Sequence, residues 1–283
     1  MATFKNMATL FYNDNSVNSN IVSGELRDVL SVTKSAITDT YTAGDKITYA
    51  VNLVNTGSTA FSGLTVRDNL GEYTFGELSL NPLTYVTGSA AYFEDGVKQA
   101  TPAVTPGPPL TFTGISVPAN GNTTLIYQAY ANSYAPLDIE NNIVNTVTVS
   151  GGGLSSELTA SETVSTRAEA VLTITKAVNP TVVTGNGQLT YTFTIQNIGN
   201  TAALAADNVL ITDTFNPILN PITVTYNGEL WTAGTEYTYN SATGEFATTA
   251  GRITVPAASY TQNADGTWIV TPGVSTLTVT GTV

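Results

Sequence analysis

VLSVTKSAITDTYTAGDKITYAVNLVNTG, residues 29–57, aligns without a gap to VLTITKAVNPTVVTGNGQLTYTFTIQNIG, residues 171–199. Both stretches alternate apolar with polar residues and are rich in Val, Ile, Thr and Tyr, the pattern of half-buried strands. The correspondence continues outward. LTVRD ending at Asp68 matches VLITD ending at Asp213, LNPLTYV matches LNPITVT, and TTLIYQAYA matches STLTVTGTV. The chain therefore contains two copies of one domain. Period-two segments such as TTLIYQAY and NIVNTVTVS recur between turn clusters such as FEDGVK, TPGPPL and PANGNT, and no segment keeps a 3.6-residue apolar period over helical length. The fold class expected is all-β, as tandem sandwiches.

The copies disagree at their ends. Copy one runs on through NIVNTVTVS, residues 142–150, whereas copy two reaches Val283, the counterpart of Ala131, so it is expected to lack its last strand. A surplus strand stands at the N-terminus. TFKNMATLF, residues 3–11, aligns with residues 142–150 and sets Phe4, Asn6, Ala8 and Leu10 opposite Ile143, Asn145, Val147 and Val149. The expected organisation is a donor strand at 1–12, a linker at 13–28, a sandwich at 29–150, a linker at 151–170 and an incomplete sandwich at 171–283. An incomplete sandwich exposes unpaired backbone and an apolar groove, and an extended segment can fill both. Residues 3–11 of one molecule are expected to complete copy two of the next, giving a head-to-tail homopolymer. The same strand folding back into its own copy two, or a slice of a longer surface repeat protein, would show the same ends.

Strand phase also places polar residues among apolar ones. Lys34 follows Leu30 and Val32 on one face, Asp68 follows Leu64 and Val66, and Asn145 lies between Ile143 and Val147. All three are expected to point inward together. Copy two repeats the arrangement with Lys176 and Asp213, and its Asn would be Asn6 of the inserted strand. A buried Lys is pushed toward its neutral, nucleophilic amine, and a buried Asp toward the acid form that polarises a carboxamide. Attack on Asn would leave an isopeptide bond. A buried Lys–Asp ion pair with the Asn amide capping backbone groups is the alternative, and needs no reaction.

Composition narrows the function. Nine Lys plus Arg against 21 Asp plus Glu give a net charge of −12, with no basic cluster to meet phosphates, so nucleic acid is not an expected partner. The absence of Cys and His excludes disulfides, thiolate and imidazole metal sites, Cys nucleophiles and His-based triads. A glycosidase needs only two carboxylates, but the acids are scattered over turns. No enzyme activity, cofactor or metal is expected. Asp138, Glu140 and Asn141 offer oxygen ligands for calcium but read as a solvated loop. Trp231, Trp268 and the tyrosines could stack on sugars in an adhesin or carbohydrate-binding module, though in alternating strands they read as core or cross-strand pairs. No apolar run is long enough to span a bilayer, so no membrane insertion is expected. The opening MATFKNMATLFYNDN does not read as a signal peptide, so export by an unconventional route, or after earlier processing, is expected.

Lys34, then GDKITYAVNLVNTG, then Arg67–Asp68, then NTVTV make a motif that occurs nearly twice over. In this motif the sequence resembles the conserved-repeat domain of bacterial and archaeal surface proteins. The resemblance implies an immunoglobulin-like sandwich at the cell surface. Isopeptide-forming fimbrial domains are similar in placing Lys, an acid and Asn on corresponding strands. Copy two departs from the motif through GNGQ in place of AGDK, and Asn6 sits in KNMAT rather than NTVT. Two such domains in a chain of this size also resemble the major subunits of clostridial endospore appendages. That resemblance implies an extracellular filament subunit at a cell or spore surface.

Overall fold

The computed structural model describes residues 2–26 and 29–283. The chain is all-β, two tandem immunoglobulin-like sandwiches behind an N-terminal arm, with one 3-10 turn at Ala205–Asp207. The arm holds β1 (Ala2–Asn6), β2 (Thr9–Tyr12), β3 (Asn15–Asn18) and β4 (Val22–Leu26). Domain 1 begins with β5 (Leu30–Ala36), β6 (Thr40–Tyr41), β7 (Lys46–Asn55), β8 (Phe61–Asp68), β9 (Tyr73–Phe75), β10 (Leu78–Leu80) and β11 (Leu83–Tyr85). It continues through β12 (Ala91–Glu94), β13 (Val97–Gln99), β14 (Ala103–Thr105), β15 (Leu110–Val117), β16 (Asn122–Ala131), β17 (Asn142–Gly151) and β18 (Leu158–Thr166).

Domain 1 is a sandwich of two six-stranded sheets. One has the order β13-β12-β16-β7-β5 with β11 beside β16, and the other the order β14-β15-β8-β17-β18-β6. Strict alternation makes the layers. In β7 Ile47, Tyr49, Val51 and Leu53 are fully buried while their neighbours are not, and they meet Leu64, Val66, Phe112, Ile115, Val147 and Val149 from the facing sheet.

Domain 2 contains β19 (Leu172–Asn179), β20 (Gln188–Asn197), β21 (Thr212–Thr214), β22 (Ile222–Tyr226), β23 (Glu229–Trp231), β24 (Tyr237–Tyr239), β25 (Glu245–Thr248), β26 (Ser259–Gln262), β27 (Trp268–Thr271) and β28 (Gly273–Thr282). Its first sheet, β19-β20-β28-β22-β23, repeats β5-β7-β16-β12-β13 strand for strand. Its second, β21-β25-β24, repeats only β8-β15-β14. Among the described residues nothing in domain 2 corresponds to β17 or β18. The expectation of one missing strand is thus corrected to two.

Both expected linkers are corrected as well. Half of residues 151–170 is strand: β17 reaches Gly151, and β18 pairs with it from Asn142↔Ser165 to Val149↔Leu158, with Val164 fully buried. The Ser/Thr/Glu-rich sequence hides this strand because only Val164 and Thr166 sit deep in the core. Residues 13–28 are not a simple linker either. β4 returns along β1 and β3 along β2, so the arm is a two-tier hairpin rather than a lone strand. Its tip is the two-residue loop Asn13–Asp14, both with positive φ (43° and 59°), the backbone that suits the twist of a tight hairpin and that Asn and Asp tolerate.

Candidate functional site

In domain 1, β5 brings in Lys34, β8 ends on Asp68, and β17 presents Asn145 two residues before Val147, the cross-strand partner of Asp68. Lys34 Nζ donates to Asp68 Oδ2 at 2.6 Å, and both side chains are fully buried. The Tyr127 hydroxyl donates to the same oxygen, and Leu70 N donates to Asp68 Oδ1 at 2.7 Å. Asp68 is thus an acceptor for three donors. Asn145 is fully buried beside the Tyr49 and Tyr127 hydroxyls, with its Oδ1 accepting from Gly71 N at 3.2 Å. Its Nδ2 has no partner, nor has the Tyr49 hydroxyl. Each orphaned group costs about 1–3 kcal/mol.

The three residues singled out by strand phase are therefore brought together. The two tyrosines were missed. Tyr49 and Tyr127 lie on the inward phase of β7 and β16, so alternation points them at Lys34, but a phenol reads as apolar in such a pattern. Lys34 Nζ sits 4.7 Å from the Tyr49 ring centroid. Burial pulls the Lys34 amine down to about 8, against the opposing pull of the Asp68 charge. Burial, helped by Asp68, pushes the Tyr127 hydroxyl well above its usual range, and Tyr49 upward too.

These directions set a pH dependence for the pair without a covalent bond, which Asn145→Ala would isolate. Between about 8 and 10.5 the unfolded Lys34 binds more proton than the folded one, so stability rises with pH by about 3 kcal/mol. Above pH 10.0 the unfolded tyrosines ionise first and stability falls again. Urea midpoints of Asn145→Ala across this range are expected to peak near pH 10; a flat profile would show that Lys34 keeps an ordinary pKa.

Domain 2 carries half of the same site. Lys176 Nζ donates to Asp213 Oδ2, but the side chains are 39% and 18% exposed. The ammonium lies 4.5 Å from the Tyr191 centroid, the counterpart of Tyr49, and 5.4 Å from those of Phe193 and Phe215. The position of Tyr127 is taken by Val279. Asn6 remains exposed on the arm, whose strands pair only with one another. One chain thus brings Lys176 to Asp213 and leaves Asn6 outside. Phe4 and Leu10 are also exposed on the arm, at 58% and 62%, and Ala8, which holds Ser19 by its carbonyl, is exposed between the tiers. The face that would receive them is open: Ile174 on β19 is 53% exposed where Val32 of domain 1 is packed into the core.

The remaining candidates have structural roles. The carbonyls of Asp138 and Asn141 accept from Thr166 Oγ1 and pin the end of β18. Among the described residues no cluster of three acidic side chains is arranged around a cation. Trp231 packs on Tyr226 with centroids 5.0 Å apart, and the Trp268 backbone donates to Ser133 O of domain 1.

No protein-family model matches the chain, and no curated protein matches it. Solved structures that are similar include the major pilin subunit BcpA of Bacillus cereus, at 11% identity and TM-score 0.37, over 95% of this chain and 73% of that one. A C-terminal fragment of the major pilin of Streptococcus agalactiae matches at 10% identity and TM-score 0.36, over 87% of this chain and 91% of the fragment. The pilus backbone RrgB of Streptococcus pneumoniae matches at 11% identity and TM-score 0.36, over 86% of this chain; the chain spans only 55% of its length.

Proposed function

We propose that the chain is a structural subunit of an extracellular filament on a cell or spore surface, built head to tail as the N-terminal arm of one molecule completes domain 2 of the next. The observation that carries this reading is that the arm and domain 2 each expose an apolar surface, in a chain whose domain 1 closes the corresponding surface with β17 and β18. Full burial of each large apolar side chain is worth about 1.5–3 kcal/mol, part of which offsets the loss of freedom on association. The contact joins unlike surfaces, so it propagates.

The finer reading adds covalent bonds. In domain 1, Lys34 passes a proton to Asp68 and its free amine attacks Cγ of Asn145. Negative charge developing on Oδ1 meets the Gly71 N–H. The new Nζ–Cγ bond forms, the Cγ–Nδ2 bond breaks, and Asp68 returns the proton to the leaving nitrogen, which departs as ammonia. The second proton, shed by Nζ as it becomes an amide, passes to Asp68 and leaves with the ammonia as ammonium. The orphaned amide donor is the group that leaves. In the filament, Lys176, Asp213 and the incoming Asn6 would repeat the step between chains, once insertion has covered the exposed pair.

Concentrated chain is expected to form long particles by negative-stain microscopy and light scattering, and to run as a ladder after boiling in detergent. Asn6→Ala is expected to keep the particles and lose the ladder. A monodisperse solution of single chains at all concentrations would overturn the filament reading.

A further inference from the structure

The arm resembles one part of domain 1 more closely than a single strand would. In domain 1 the hairpin β17–β18 pairs Ile143 with Val164 and Asn145 with Glu162. In the arm, β1–β4 pairs Phe4 with Gly24 and Asn6 with Val22. With Asn6 set on Asn145 the pairs correspond one to one. Their volumes are exchanged between strands: the Phe4 ring covers Gly24 so closely that a Cβ there would lie 2.4 Å from it, and a large residue over none replaces a medium pair.

Position in the sandwich distinguishes the two strands. β17 sits beside β8, but it is β18 that lies across from β5 and covers its inner face. In domain 2 the corresponding face of β19 is the open one, with Ile174 53% exposed and Val178 36% exposed. A single donated strand in the place of β17 would pair with β21 and leave β19 uncovered. A hairpin covers both.

The connections agree. β18 leads into β19 through Arg167-Ala-Glu-Ala-Val171, and β4 leads into β5 through Arg27-Asp-Val29. In each case a return strand runs, after an Arg and an acid, directly into the first strand of the next sandwich. An inserted hairpin would therefore give the junction between chains the same plan as the junction inside one.

We propose that the element donated to the next chain is the whole two-tier hairpin of the arm, its outgoing half (β1 and β2) pairing with β21 through β2 and its return half (β3 and β4) lying over β19. This rests on the filament reading and specifies the partner surface of the same site. In domain 1, Thr148 pairs with Arg67, and Ser165 pairs in parallel with Thr40. Their counterparts are Thr9 with Thr212, and Glu25 with Val182.

The chain has no Cys, so introduced thiols report without background. Thr9→Cys chains mixed with Thr212→Cys chains test the outgoing strand, and Glu25→Cys with Val182→Cys tests the return strand, each oxidised after assembly and read as the mixed disulfide by mass spectrometry. The hairpin predicts comparable disulfide yields for both pairs. A bond at Thr9–Thr212 with none at Glu25–Val182 would overturn the hairpin and leave strand donation standing. Neither bond, in particles that still form, would overturn both.

Discussion

Removing residues 1–26 is expected to abolish long particles altogether and leave single chains in solution. The truncation takes away the element proposed to cover the open side of domain 2, so the expected effect is loss of growth rather than a change in rate. Domain 1 loses nothing, because its own β17 and β18 already close it and its core is contiguous from Leu30 to Val164. Sedimentation velocity and negative-stain microscopy on the truncated and full chains, side by side, give the measurement. Ordered filaments from the truncated chain would place the contact elsewhere. Amorphous clumping would be a separate outcome, since Ile174 and Val178 stay exposed and an uncovered sheet face invites non-specific association.

The second large effect is expected at Asp68. Asp68→Ala leaves the Lys34 ammonium buried with no counter-charge, a change that typically costs about 3–5 kcal/mol. For a domain of this size that lowers the melting temperature by on the order of 10 °C. Asn145→Ala keeps the ion pair but takes an acceptor from the Gly71 N–H, worth about 1–3 kcal/mol, so only a loss beyond that comes from the covalent bond. Intact-mass measurement separates these contributions. The wild-type chain is expected to be lighter than its sequence by one ammonia for the bond in domain 1, and the Asn145→Ala chain to have its full sequence mass. A wild-type chain at full mass, above Asn145→Ala in stability by no more than the Gly71 hydrogen bond, would leave the noncovalent pair as the whole of the site.

Much of this was legible in the sequence, and the remainder was hidden for physical reasons. Lys34, Asp68 and Asn145 stand out because a two-residue period makes any polar residue on the apolar phase conspicuous, and the structure buries all three. Tyr127 escapes the same logic because its ring satisfies the apolar phase while its hydroxyl does the polar work. β18 escapes because Leu158-Thr-Ala-Ser-Glu-Thr-Val-Ser-Thr166 offers little apolar contrast, and its strand character comes from pairing with β17. The return half of the arm is hidden likewise: Asn-Ser-Val-Asn and Val-Ser-Gly-Glu-Leu are short and weakly patterned, and the tight Asn13–Asp14 turn holds them against the first half.

Lys34 lies in the second half of Leu30–Ala36, the first strand of its sandwich, and Asn145 in the first half of Asn142–Gly151, the next-to-last. Under tension along a fibre, pull enters domain 1 at Leu30 and leaves at Thr166. Without a bond between the two side chains, β5 must resist through its hydrogen bonds to β7 and its packing on β18, and it can be peeled away. With the bond, force passes from β5 to β17 after only a few residues and runs around the 151–157 turn into β18. The β5–β7 pairing is then spared, and the load falls on the β17–β18 hairpin from Asn145 to Thr166, held by its hydrogen-bond ladder and by the buried Val147, Val149 and Val164.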